Sequence, residues 1–160
     1  MADSKIQVGD KAPSFALKNQ DGENVKLGDF KGRWVVLYFY PKDDTPGCTI
    51  EACDFTAGIK DFEKLDAVVL GCSPDSPEMH RKFIAKYKLK ITLLSDPGHE
   101  LLEKYGAWGE KNMYGRKSMG VIRSTVLIDP AQKVAFHYRK VSAKGHAEAV
   151  QAKLKELRAA

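Results

Sequence analysis

Cysteine is scarce in this chain. There are three among 160 residues, Cys48, Cys53 and Cys72. That is a poor basis for a disulfide framework, and none of them forms a Cys-x-x-Cys pair. Thiols this sparse point to catalysis, redox sensing or metal binding rather than to stapling. Histidine is also thin: His80, His99, His137 and His146 are scattered, and none stands at metal-ligand spacing from a cysteine. A zinc site made by Cys48, Cys53 and a distant histidine is therefore disfavoured, and no metal or cofactor is expected.

Long apolar stretches are absent as well. The opening MADSKIQVGDKAP has no apolar core of the kind a secretory signal needs, and no run approaches membrane-spanning length. The expected setting is cytoplasmic, with no membrane partner. Basic residues outnumber acidic ones 26 to 21, but the excess is spread along the chain. Without a basic arm or an aromatic-basic stripe, nucleic-acid binding is not expected. The mild positive charge would still help draw in acidic partner proteins. No repeat, low-complexity tract or Pro/Gly/Ser-rich linker divides the chain. Residues 1–160 therefore read as one domain, long enough to bury most of its apolar surface. A hydrophobic content of 43% with 29% charged residues places it in the soluble globular class.

What is present is an alternation of strand and helix signals. SFALKNQDGENVKL reads as a hairpin turning at Asp21-Gly22. WVVLYFY, Trp34 to Tyr40, is an apolar run ended by Pro41, as in a strand buried on both faces. Helix-like CTIEACDFTAGIKDFEKL follows, with Phe55, Ile59 and Phe62 on one face. AVVLGCS is a second buried strand. Ser76-Pro77 then looks like an N-cap followed by a helix-opening proline, with Phe83, Ile84 and Tyr87 inward. Asp96-Pro97 could open a short helix holding Leu101, Leu102 and Tyr105. STVLID and KVAFHYRKV read as antiparallel strands joined at Asp129 to Gln132. His146 to Ala160 carries Val150, Leu154 and Leu157 at helical spacing. This order predicts an α/β chain with a mixed central sheet flanked by helices. It is the order of a thioredoxin-like fold with an N-terminal β-hairpin extension.

Cys48 stands where a helix should begin, just after a strand. Free backbone N–H groups and the positive end of the helix dipole favour an anion there. A free cysteine has a pKa of about 8.5, which helix N-termini and nearby cations lower. Position alone makes Cys48 a candidate nucleophile, and equally a small buried hydrophobe. Thr45, three residues earlier, can cap the helix with its hydroxyl or donate to a bound oxygen. Pro41 ends the strand and could also shield a thiolate. Read by spacing alone, Cys48 and Cys53 are unrelated thiols, metal ligands, or partners that must move to meet.

Pro41-Lys-Asp-Asp-Thr45-Pro-Gly-Cys48 matches the Pro-x-x-x-Thr-x-x-Cys motif of peroxiredoxins. The longer YFYPKDDTPGCTIEACDF resembles the Q type, also called bacterioferritin-comigratory protein, and WGEKNMYGRKSMGVIRSTVLID resembles that group's later segment. The likeness runs from about Val8 into the final helix. It implies a thiol peroxidase that reduces hydrogen peroxide and organic hydroperoxides. Cys48 would attack the peroxide and become a sulfenic acid. Thr45 and the backbone N–H of Cys48 would hold the substrate oxygens, with Pro41 covering the site. Arg123 matches the family arginine that stabilises the thiolate and the developing charge. Glu51 matches an acidic family position. Some Q-type relatives carry a resolving cysteine in the helix that here reads MHRKFIAKYKL, and this chain has none there.

The resemblance thus pairs Cys48 with Cys53. Five residues of regular helix turn by about 500° and rise by about 7.5 Å, which puts the two Cα atoms about 8.7 Å apart. A disulfide needs less than about 7 Å, so the first turns of the helix are expected to unwind before the bond forms. Reduction by thioredoxin or a similar dithiol would complete the cycle, with the chain working as a monomer. Cys72 ends an apolar strand run, which suits an inert structural thiol. Two other functions fit less well: a dithiol-disulfide oxidoreductase acting on proteins, which the missing Cys-x-x-Cys opposes, and a non-enzymatic redox sensor.

Overall fold

Six consecutive residues, Trp34–Phe39, form strand β3, and all but the first are buried. Such a run needs cover on both faces and a neighbour on both edges. In the computed structural model, which describes residues 6–159, it has both. The other strands are β1 (Ala16–Lys18), β2 (Asn24–Lys26), β4 (Ala67–Ser73), β5 (Thr92–Ser95), β6 (Trp108–Met113), β7 (Arg116–Val121), β8 (Ser124–Ile128) and β9 (Val134–Tyr138). The helices are α1 (Pro46–Ala57), α2 (Ile59–Lys64), α3 (Pro77–Tyr87), α4 (Glu100–Lys104) and α5 (His146–Ala159). Seven strands make one mixed sheet in the order β2-β1-β5-β4-β3-β8-β9, and β6-β7 is a separate ribbon. β3 runs parallel to β4 and antiparallel to β8. This is the expected thioredoxin-like arrangement, with the N-terminal hairpin joined antiparallel to β5.

Alternation along the strands sorts the core into two layers. Val36, Tyr38, Tyr40, Val69, Leu93 and Leu127 face Cys48 and Phe55 of α1, Phe62 of α2, Phe83 of α3 and Val150 and Leu154 of α5. Val35, Leu37, Phe39, Leu70, Cys72 and Val126 face the other way, towards Leu27, Leu101, Leu102 and Tyr105. The thiols of Cys48 and Cys72 therefore belong to opposite sides of the sheet.

The hairpin, both buried strands, the Ser76 cap and α5 lie where the sequence predicts them. Ser76 accepts a hydrogen bond from the Met79 N–H, with Pro77 in the first turn. Several features differ. The helix expected over Cys48 to Leu65 starts at Pro46 and breaks at Gly58 into α1 and α2. The short helix starts at Glu100, not at Asp96-Pro97. Asp96 instead reaches forward, accepting the Leu102 N–H on Oδ2 at 2.9 Å. Three strands, β5, β6 and β7, have no counterpart in the sequence reading. β5 has only four residues, too few to display a period. The ribbon turns at Tyr114-Gly115, both at positive φ (54° and 79°), and its second strand is exposed over its first four residues. No buried face marks it as a strand.

Gly71 shows how tightly the first layer is packed. It pairs with Tyr38 on one side and Leu93 on the other. A Cβ at this position would lie 2.8 Å from Tyr38 Cζ and 2.9 Å from Leu93 Cδ2. Gly71→Ala is expected to cost about 1–3 kcal/mol through overpacking. Urea unfolding would measure it, and an unchanged midpoint would contradict this packing argument.

Candidate active site

After β3 the chain turns through residues 40–45 and enters α1. Thr45 occupies the N-cap position with extended backbone, and its carbonyl accepts the Thr49 N–H at 2.8 Å. Its hydroxyl does not accept a bond from the first turn, contrary to the capping expectation. It donates instead to the Lys42 carbonyl at 2.7 Å, closing the loop on itself. Cys48 is the third residue of α1 and is 1% exposed. It shares the inner face with Phe55, as seven-residue spacing requires.

A second segment meets this helix end. Arg123 lies in the two-residue link between β7 and β8. Its Nη2 donates to Cys48 Sγ at 3.2 Å and its Nη1 donates to Glu51 Oε1 at 2.6 Å. Its own carbonyl accepts the Val141 N–H at 2.9 Å. Gly47 makes room for this approach, since a Cβ there would stand 3.1 Å from Nη2. The guanidinium keeps its charge under all ordinary conditions and offers two parallel donors. One cation thus serves a sulfur and a carboxylate together.

Glu51 is fully buried, and its Oε2 finds no hydrogen-bond partner among the described residues. Burial pushes its carboxyl up to about 7, against the opposing pull of Arg123. Tyr38, stacked on Phe55 with ring centroids 4.7 Å apart, also has an unpartnered buried hydroxyl. Cys53 lies on α1 at the edge of the same core layer, half-buried. Burial first, and the neighbouring Asp54 second, push its thiol up. Cys72 is buried outright, with burial and then Asp96 raising its thiol well above the usual range. All three cysteines are free thiols. Pro41 is half-buried at the start of the loop.

The structure also gathers residues that the sequence reading did not single out. Asp43, Asp75 and His80 offer ligand-type atoms within 4.8 Å of one another, the one such grouping among the described residues. Those atoms are already engaged inside the protein. His80 Nδ1 lies 2.7 Å from Asp43 Oδ2, and Asp75 Oδ2 accepts from the Asp43 N–H and the Ser73 hydroxyl. His80 is 37 residues from Asp43, and no local spacing announces such a pair.

Comparison with known proteins identifies the family and the fold. The AhpC/TSA family model matches residues 8–137. The chain is 51% identical over 147 residues to Peroxiredoxin Bcp of Bacillus subtilis, covering 91% of this chain and 94% of that one. It is 42% identical over 151 residues to Peroxiredoxin Bcp of Escherichia coli, covering 94% and 97%. Among solved structures it is similar to the bacterioferritin comigratory protein of Xanthomonas campestris, at TM-score 0.87 and 40% identity, covering 96% of this chain and 98% of that one. That protein was solved as a trapped intermediate/ligand complex bearing on alkyl peroxide reduction. A Xylella fastidiosa PrxQ superposes at TM-score 0.90 with 37% identity, covering 94% and 96%.

The burial of Glu51 has a pH signature. The folded chain holds this proton up to about pH 7, whereas the ordinary carboxyl releases it near 4.5. Between those values the folded state binds more protons. Stability therefore falls as pH rises through the window, by at most about 1.4 kcal/mol per unit. Glu51→Gln cannot release that proton. Urea unfolding of both forms from pH 4.5 to 8.5 should show wild type losing stability relative to the variant up to about pH 7 and then levelling off. A difference that stays constant over the range would contradict the assignment.

Proposed function

The chain belongs to the AhpC/TSA family and is a peroxiredoxin, a thiol peroxidase, and from that premise we propose that Cys48 is the thiol that attacks the peroxide. The observation that carries this reading is the 3.2 Å contact from Arg123 Nη2 to Cys48 Sγ at the start of α1. The sulfur attacks the terminal oxygen and the O–O bond breaks. Cys48 becomes a sulfenic acid and the departing oxygen leaves as water or an alcohol after taking up a proton. Negative charge grows on that oxygen, and a preplaced cation with fixed N–H donors stabilises it without reorganising. The Cys48 N–H and the Thr45 hydroxyl, once it turns from the Lys42 carbonyl, hold the peroxide oxygens, and Pro41 covers the site. Both hydrogen peroxide and organic hydroperoxides are taken as substrates, in line with the relative linked to alkyl peroxide reduction.

Cys53 then attacks the sulfenic sulfur, expelling water and leaving an intramolecular Cys48–Cys53 disulfide. Their positions on one helix oppose direct bonding, since regular helix geometry puts the Cα atoms about 8.7 Å apart. The start of α1 therefore unwinds, and Pro46 and Gly47 let the segment change path. Thioredoxin or a similar dithiol restores both thiols by exchange. Residues 1–160 act as a single domain, as a monomer, in the cytoplasm. Cys72, shut into the opposite layer, takes no part.

With Cys53→Ser, a sulfenic-acid probe applied after substoichiometric peroxide should label Cys48 alone. In the Cys72→Ala chain the disulfide should still form. Labelling mainly at Cys72, or loss of the disulfide in that variant, would overturn the assignment of the pair. The unwinding is read separately by hydrogen exchange across residues 45–55. Protection there should drop in the disulfide form. Equal protection in both forms, with the disulfide verified by mass spectrometry, would refute it.

A further inference from the structure

A second buried polar cluster hangs on Asp43, in the loop that delivers Cys48. Asp43 is 3% exposed and His80, on α3, is fully buried. The Tyr40 hydroxyl donates to Asp43 Oδ1 at 2.6 Å, and the Asp43 N–H donates to Asp75 Oδ2 at 2.8 Å. His80 Nδ1 meets Asp43 Oδ2 at 2.7 Å, and His80 Nε2 meets the Leu94 carbonyl at 2.9 Å. A carbonyl can only accept, so Nε2 carries a proton, and Nδ1 shares a second one with Asp43. The next residue is tied to the same helix. Asp44 takes Lys86 Nζ at 2.8 Å and the Tyr87 hydroxyl at 2.6 Å. Its backbone is left-handed, with φ of 58°. Aspartate adopts this region more readily than most residues, and here it turns the side chain towards α3.

We propose that Asp43 and His80, with Asp44 held by Lys86 and Tyr87, form a positioning clamp that sets where the thiol of Cys48 stands against Arg123. The inference rests on the reading of Cys48 as the attacking thiol. Two adjacent carboxylates, five and four residues before Cys48, bolt the loop to α3. Arg123 reaches the sulfur from a different element, the link between β7 and β8. Sulfur and guanidinium thus sit on different elements: the Arg123–Glu51 pair ties the guanidinium to α1, and the clamp ties the loop before α1 to α3. A displacement of about 1 Å at such a site costs on the order of a hundredfold in rate. These are positioning residues, since none of them touches the sulfur.

Two replacements of His80 separate positioning from general stability. An asparagine amide reaches the place of Nδ1 and keeps the donor to Asp43. A glutamine amide reaches the place of Nε2 and keeps only the donor to the Leu94 carbonyl. First-turnover oxidation of Cys48 by hydrogen peroxide is followed by rapid quench and mass spectrometry, at a temperature where each variant is folded. His80→Gln should slow the step by about tenfold or more, and His80→Asn should restore most of the wild-type rate. Equal rates in the two variants, both fast or both slow, would overturn the clamp. Should His80→Gln fail to fold, the exposed half carries the test. A Lys86→Met/Tyr87→Phe chain frees Asp44 without entering the core and is expected to react several-fold more slowly. An unchanged rate there would overturn the proposal. Oxidation of wild type at a cysteine other than Cys48 would bring down the underlying reading and the clamp with it. Correct oxidation at Cys48 with equal variant rates would remove the clamp alone.

Discussion

The site depends on one guanidinium shared between a sulfur and a buried carboxylate. Arg123 cannot serve Cys48 Sγ and Glu51 Oε1 at once unless both lie within about 3 Å of its two terminal nitrogens. Cys48 and Glu51 are three residues apart on α1, so they share one side of the helix end. Gly47 gives up its side chain so that Nη2 can pass. The Val141 N–H holds the Arg123 backbone, which ties the site to the segment entering α5. The sheet supplies the rest, because β3 ends where α1 must start and β8, its antiparallel neighbour, begins beside Arg123.

That single cation also sets an electrostatic conflict. Glu51 lies in a layer with Tyr38, Phe55 and Val36, where an ionised carboxylate is poorly solvated. Arg123 offsets part of that cost, yet the carboxyl still titrates near neutrality. Nη1 is given to Glu51 and Nη2 to Cys48, so the two partners take different donors of the one cation.

Much of this was legible in the sequence, and the gaps have physical causes. Runs with a burial period, such as Trp34 to Phe39 and the apolar spacing of α5, announce themselves. So do local signals that act within a few residues, such as Ser76-Pro77 and Asp21-Gly22. β5 is too short for a period, and the ribbon of β6 and β7 has almost no buried face. The break at Gly58 was hidden because Phe55, Ile59 and Phe62 keep helical spacing across it. In the candidate site, Cys48 and Thr45 stand out by their place at a helix start and Pro41 by ending a strand, whereas Arg123 is reached only through a family likeness. The Glu51–Arg123 pair spans 72 residues and Asp43–His80 spans 37. Contacts at such separations are fixed by topology, and no window of sequence contains both partners.

The placement of Cys72 has a consequence for bookkeeping of oxidised forms. Any of the three thiols could in principle combine with either of the others. Cys72 lies in the layer beyond the sheet, behind Leu70 and Leu94, while Cys48 and Cys53 belong to the α1 side. A continuous hydrogen-bonded wall separates the two compartments as long as β3, β4 and β5 stay paired. Local opening at the helix end leaves that wall intact. While the sheet stays paired, Cys72 is kept apart from both other thiols. Cys72 is fully buried, so a reagent reaches its thiol only after the packing around β4 opens.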